Sequence, residues 1–101
     1  MTPLSAFLAE IDAAPHPHGD PVTRQAAALH LTRMEAAFTA LRTSEAWTAP
    51  LTDPIERERQ ATMQARAIEA MQDARHDWRL AVRQERQDAR RVAEYADEDA
   101  P

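Results

Sequence analysis

The sequence predicts an all-α fold: a short N-terminal helix plus an antiparallel helical hairpin with a long, overhanging C-terminal helix. Three observations predict it. Gly19 is the single glycine in 101 residues, where an average chain has ~7%; sheets use glycine at turns and bulges, whereas helices avoid it. Thr2-Pro3, Asp20-Pro21 and Asp53-Pro54 each set a capping oxygen directly before a proline, the pairing that suits a helix start because the missing N–H would be unsatisfied there anyway. Apolar residues also recur at steps of three and four, the helical period.

The first helix is expected over residues 3–14, closed by Pro15. Its Leu4, Phe7, Leu8 and Ile11 fall at i, i+3, i+4 and i+7 and form one apolar stripe. A tight loop with His16, His18, Gly19 and Asp20 follows. The second helix is expected over 21–47, with Pro50 beyond its end. Ala27, Leu31, Met34, Phe38 and Leu41 make a heptad-like seam, and Val22, Leu29, Ala36, Ala40 and Trp47 lie beside it. So wide an apolar surface predicts neighbours on two sides, one of them the third helix and the other the first helix or another subunit.

The third helix is expected over 54–96, with an acidic tail at 97–101. Asp53 and Glu56 have capping-box spacing, and Met63, Ala67, Met71, Ala74, Trp78 and Val82 share one side with Ile68 at its edge. Met34, Met63 and Met71 read as core filler, and Trp78 as the packing residue at the far end of the hairpin. Beyond Val82 the apolar face thins to Ala89 and Val92 and is interrupted by Glu85. At 1.5 Å per residue the second helix would span roughly 40 Å and the third roughly 65 Å, so the hairpin covers the third helix to about residue 80. The rest overhangs. Connections of this length join antiparallel neighbours, and a chain this short is a single domain, one for which oligomerisation would add stability.

Composition narrows the function. The chain has no cysteine, hence no disulfide framework, thiolate site or cysteine nucleophile. The N-terminus has no signal-peptide pattern and no apolar run approaches the ~18 residues of a membrane span, so a cytoplasmic protein without membrane contact is expected. A net charge of −5 disfavours nucleic-acid binding by the surface as a whole. All twelve basic residues are arginine, which a GC-rich genome explains.

Arg75, Arg79, Arg83, Arg86 and Arg90 fall within an arc of roughly 80° over roughly 22 Å of helix. Only Arg90 has an acidic residue, Glu94, at helical-neighbour spacing; the others meet like charges, which is mildly unfavourable in an isolated helix. Three readings apply to this stripe. It is solvated or answered by acidic residues of a neighbouring helix or second copy; it docks an acidic protein; or it tracks phosphates. The acidic segment that follows argues against the last, and Trp78 and Tyr95 are too isolated to stack bases.

No catalytic residue, cofactor site or metal site is assigned. His16 and His18 make a His-x-His pair with only Asp20 near, where a metal needs three or four placed ligands. His30 reads as a half-buried histidine at the seam, and His76 as an electrostatic partner of Asp73 or Asp77. No serine is placed with a base, no Glu-x-x-His motif marks a di-metal bundle, and a lone glycine makes no phosphate loop. The expected function is therefore a non-enzymatic protein-interaction or assembly protein. It would dock another protein or itself, as a homo-oligomer, through Arg75, Arg79, Arg83, Arg86, Arg90, Trp78, Val82 and Val92. Complex subunits, adaptors, phage or bacterial assembly factors and small inhibitors fall in this class. A nucleic-acid-associated helix using the arginine stripe is the second reading, and a metal-binding protein using His16 and His18 the third.

Overall fold

The computed structural model describes residues 1–15 and 23–98, with side chains described as far as Tyr95. Four helices follow in order: α1 (Pro3–Asp12), α2 (Arg24–Arg42), α3 (Glu45–Thr48) and α4 (Pro54–Glu98). There is no strand among the described residues. The all-α class and the long C-terminal helix are as the sequence predicts.

Local chemistry sets the boundaries. Thr2 caps α1 by accepting from the Ser5 N–H at 3.1 Å, while the Thr2 N–H donates to Ser5 Oγ at 3.0 Å, a reciprocal pair that satisfies two otherwise orphaned donors. The helix ends at Asp12, two residues short of the expected 14, ahead of Pro15. The described part of the next helix begins at Arg24, where the Thr23 hydroxyl accepts from the Ala26 N–H at 3.1 Å. Asp20-Pro21, expected as the start, lies outside the described residues. Asp53 caps α4 by accepting from the Ile55 N–H at 3.0 Å. Glu56 makes no return bond, so the cap is one-sided rather than the capping box its spacing suggests.

The continuous second helix expected over 21–47 is instead broken at Thr43-Ser44. The Ser44 hydroxyl donates to the Leu41 carbonyl at 2.6 Å, and the Thr43 hydroxyl lies 3.2 Å from the carbonyls of both Thr39 and Ala40. Such side chains compete with the helical ladder for backbone acceptors. Ser44 is extended, at φ −83° and ψ 161°, and the one-turn α3 follows. This swings Trp47 off the side of α2 and sets it edge-on to the Phe38 ring, with centroids 5.7 Å apart and planes at 86°. Gln60 and Gln64 of α4 then clamp the turn. Their amides donate to the Trp47 carbonyl at 3.1 and 2.9 Å, and Gln60 also reaches the Ala49 carbonyl at 3.1 Å.

The core forms where α1, α2 and α4 meet. Phe7, Met34, Leu41, Ala67, Met71 and Ala74 are buried together, and Leu4, Ile11, Leu31, Phe38, Trp47 and Met63 pack around them half-buried. On α2 the buried residues are Ala27, Met34 and Leu41; on α4 they include Ala67, Ala74 and Ala81. Both sets step by seven. The Gln60 bonds to Trp47 at one end, and an ion pair between Arg24 and Glu85 at the other, fix an antiparallel register that brings Ala27, Met34 and Leu41 level with Ala81, Ala74 and Ala67. Alanines on α4 thus stand opposite Met34 and Leu41, and Ala81 opposite Ala27, which lets the axes approach and the seam interdigitate.

α1 packs chiefly on α2 and puts Phe7 into the core, 5.9 Å from the Phe38 ring. It takes the second side of α2, one of the two neighbours expected there. The flanking group on α2 does not become an interface: Leu29, Ala36 and Ala40 are exposed and Val22 lies outside the described residues. Leu8 and Ile68, expected on or beside apolar faces, are also exposed, because each sits on the outer edge of its stripe once Phe7 and Ala67 take the inner positions.

The 45-residue α4 is ~68 Å long and α2, with 19 residues, ~28 Å. The molecule measures 75 × 24 × 23 Å with a radius of gyration of 19.2 Å, against ~13 Å for a compact chain of this length. The difference is the unaccompanied second part of α4.

Candidate functional site

The point where α2 stops accompanying α4 is marked by side chains. Among the described side chains of α4 Ala81 is the last buried one and Val82 is half-buried; every residue from Arg83 through Tyr95 is exposed. The expected limit near residue 80 is close to this, with Glu85 the last residue tied to α2. There the Arg24 guanidinium approaches the Glu85 carboxylate at 3.6 Å. Glu85, which interrupts the apolar pattern of the sequence, is thus answered by the first residue of α2.

Two shallow grooves flank that ion pair. One, of about 340 Å³, is lined by Arg24, Trp78, Val82, Glu85, Arg86 and Ala89. Its apolar part is Trp78, Val82 and Ala89, and its charged residues are two guanidinium groups and one carboxylate. The other, of about 590 Å³, lies between the start of α2 (Thr23, Arg24, Gln25, Ala28) and Ala81, Gln84, Glu85 and Asp88 of α4. On its far edge Gln84 donates to the Asp88 carboxylate at 3.1 Å.

The structure brings Trp78, Val82 and Arg86 of the predicted site together in the first groove. Arg75, Arg79, Arg83 and Arg90 are exposed along the same helix. None of the five stripe arginines is ion-paired among the described residues. Val92 is exposed and lies ten residues beyond Val82, ~15 Å along the axis, outside that groove. Trp78 is half-buried at the floor of the groove and not sealed in the core.

The pairing of Arg24 with Glu85, and Ala89 as a residue of the groove, were missed from sequence. The antiparallel hairpin implies that the first residues of one helix stand beside the last covered turn of the other, but naming them as Arg24 and Glu85 takes the register.

The remaining candidates carry less. His30 is half-buried and shares a small cavity of about 180 Å³ with Ile11, Met34, Asp73, Ala74 and Asp77. His76 is exposed and makes no ion pair among the described residues, so its expected pairing with Asp73 or Asp77 does not form. No group of three or more His, Asp or Glu suited to a metal ion occurs among the described residues; His16 and His18 lie outside them. No helix among the described residues is long and apolar enough to cross a membrane. The arrangement offers apolar contact framed by guanidinium groups, the surface that receives an apolar side chain accompanied by carboxylates.

Comparison with protein-family models, with curated proteins and with solved structures returns no match.

Proposed function

We propose that this is a non-enzymatic, cytoplasmic interaction and assembly protein, a subunit, adaptor or inhibitor within a larger complex, which docks a partner or another copy through the second part of α4. One observation carries the reading: among the described side chains burial ends at Val82, while the helix continues to Glu98. Isolated helices of this length are marginal in water, and most helical stability comes from packing an apolar face. Beyond the half-buried Val82 the overhang continues this face with the exposed Ala89 and Val92, and like-charged arginines lie beside it. A partner that supplies apolar cover and carboxylates relieves both at once.

The test is the triple variant Arg79→Ala, Arg83→Ala, Arg86→Ala. All three residues are exposed, so the fold and its urea midpoint are expected to stay unchanged while self-association and partner capture are lost. Unchanged association and capture would reduce the stripe to solvated surface.

A second reading has one observation in its favour: five arginines over ~22 Å of helix without ion pairs among the described residues match a strip that tracks phosphates. It predicts affinity for nucleic acid that falls steeply with salt, and a gel shift without binding at low salt would dispose of it.

A further inference from the structure

The groove at the start of α2 and the arginine stripe lie on one continuous side of α4. The buried residues Ala67, Met71, Ala74 and Ala81 set the direction in which α4 faces α2. At ~100° per residue, the groove floor of Trp78, Val82 and Ala89 is turned ~45° from that direction. Arg75, Arg79, Arg83, Arg86 and Arg90 centre ~125° from it in the same sense. α1 flanks the opposite side, where its Ile11 shares a cavity with Ala70, Asp73 and Asp77 of α4. A body seated between the floor and the stripe thus stands roughly 90° round α4 from α2, the place of a further helix in a bundle. It displaces neither α1 nor the start of α2.

Charge and shape define the body that fits there. Arg24 stands at the α2 edge of the groove and Arg86 at the stripe edge; the one carboxylate among the lining residues, Glu85, is already approached by Arg24 at 3.6 Å. The other four stripe arginines are exposed. Six guanidinium groups therefore frame an apolar floor against a single carboxylate, and the complementary ligand has an apolar stripe flanked by carboxylates. The stripe runs along α4 for ~22 Å with about one arginine per turn, the repeat at which a helix laid alongside offers its own side chains. An extended peptide docks by main-chain bonds to a strand edge, and the backbone groups along α4 are already bonded within the helix. A helical ligand satisfies its own backbone. Phosphates would match the arginines but leave Trp78, Val82 and Ala89 without a counterpart.

We propose that this groove binds an acidic amphipathic helix of another protein, about four turns long, laid along residues 75–90. Its apolar stripe covers Trp78, Val82 and Ala89, and its carboxylates meet the arginines. The proposal rests on the docking reading above and names the chemistry of the partner.

The probe is a synthetic peptide of about four helical turns, with leucine along one stripe and glutamate on both flanks. It is added to the full chain carrying Trp47→Phe, which leaves Trp78 as the single tryptophan; calorimetric titration of the wild-type chain is the second measurement. Trp78 emission is expected to shift to the blue as the half-buried ring is covered. The same peptide with lysine in place of glutamate should bind about tenfold more weakly or worse. Arg86→Glu, and separately Ala89→Glu on the groove floor, should each weaken the acidic peptide by about tenfold or more. Arg91→Glu makes the same charge change as Arg86→Glu but on the far side of the helix, and should alter binding less than about twofold. All three positions are exposed, so the urea midpoint should stay unchanged. Equal weakening by Arg86→Glu and Arg91→Glu, or an acidic peptide that neither binds nor moves Trp78 emission, would overturn the proposal. So would duplex DNA bound more tightly than the peptide, or a dimer of the chain alone that Ala89→Glu dissolves, which would put a second copy in the groove. If the triple-alanine variant loses association or capture while the acidic peptide fails to bind, the docking reading stands and this partner falls.

Discussion

Ala81 and Val92 occupy the same face of α4, three turns apart and about 20° from alignment, yet Ala81 is 7% exposed and Val92 69%. What separates them is the start of α2. Up to the level of Arg24 the face is covered by the second helix; beyond it the helix, and part of its apolar pattern, continue without cover. The molecule is thus a small three-way core with the last third or so of one helix projecting from it.

Of the α1 side chains that reach the core, Phe7 alone is fully buried, with Leu4 and Ile11 half-buried around it. Phe7 is 1% exposed and Leu8, its neighbour in the apolar stripe, 51%. Phe7→Ala is expected to cost ~3–5 kcal/mol, the usual range for emptying a buried aromatic site, and Leu8→Ala only ~0.5 kcal/mol. Urea denaturation of the two variants checks the contrast, and equal losses would mean that α1 is not seated through Phe7.

Close approach of α2 and α4 predicts intolerance of size at the small positions. Ala74→Leu adds a large side chain where Met34 stands opposite, and is expected to destabilise by ~1–3 kcal/mol through overpacking. Leucine at the exposed Ala65 should be tolerated. Paired thermal melts decide the point.

The clamp on the turn should act locally. Gln60→Ala with Gln64→Ala removes the bonds to the Trp47 and Ala49 carbonyls, each worth ~0.5–1.5 kcal/mol. Faster hydrogen exchange at residues 45–49 and a red-shifted tryptophan emission are expected, with slow exchange retained at residues 67–74.

The ion pair of Arg24 and Glu85 marks the end of the cover but adds little to stability. Its side chains are 59% and 55% exposed, and such pairs contribute ~0–1 kcal/mol. Glu85→Gln is therefore expected to leave the melting temperature within a few degrees of the parent. A larger drop would mean that the start of α2 is held by this contact rather than by Ala27.

Much of the fold was legible because apolar spacing reports it directly: Ala27, Met34 and Leu41, and Ala67, Met71 and Ala74, are the buried residues in the steps that the seams predict. Ala81 was passed over because alanine is abundant in this chain and only the register singles out the one opposite Ala27. The break in the second helix was not legible from spacing, because Thr43 and Ser44 act by bonding to nearby carbonyls, a competition that leaves no trace in hydrophobic periodicity. Trp47, counted on the side of α2, moved with that break. Of the candidate site, Trp78, Val82 and Arg86 were found because they lie on one helix. Arg24 was not, since it comes from a second helix whose register had to be known first.

The division of α4 is tested most directly by hydrogen exchange on the dilute full-length protein, resolved along the helix. Amides at residues 67–82 are expected to exchange slowly, as parts of the core, and those at residues 86–95 orders of magnitude faster, slowing when the chain is concentrated or bound. Uniform slow exchange from residue 67 to residue 95 in dilute monomer would contradict the account, because the overhang would then be held by its own chain and would need no partner.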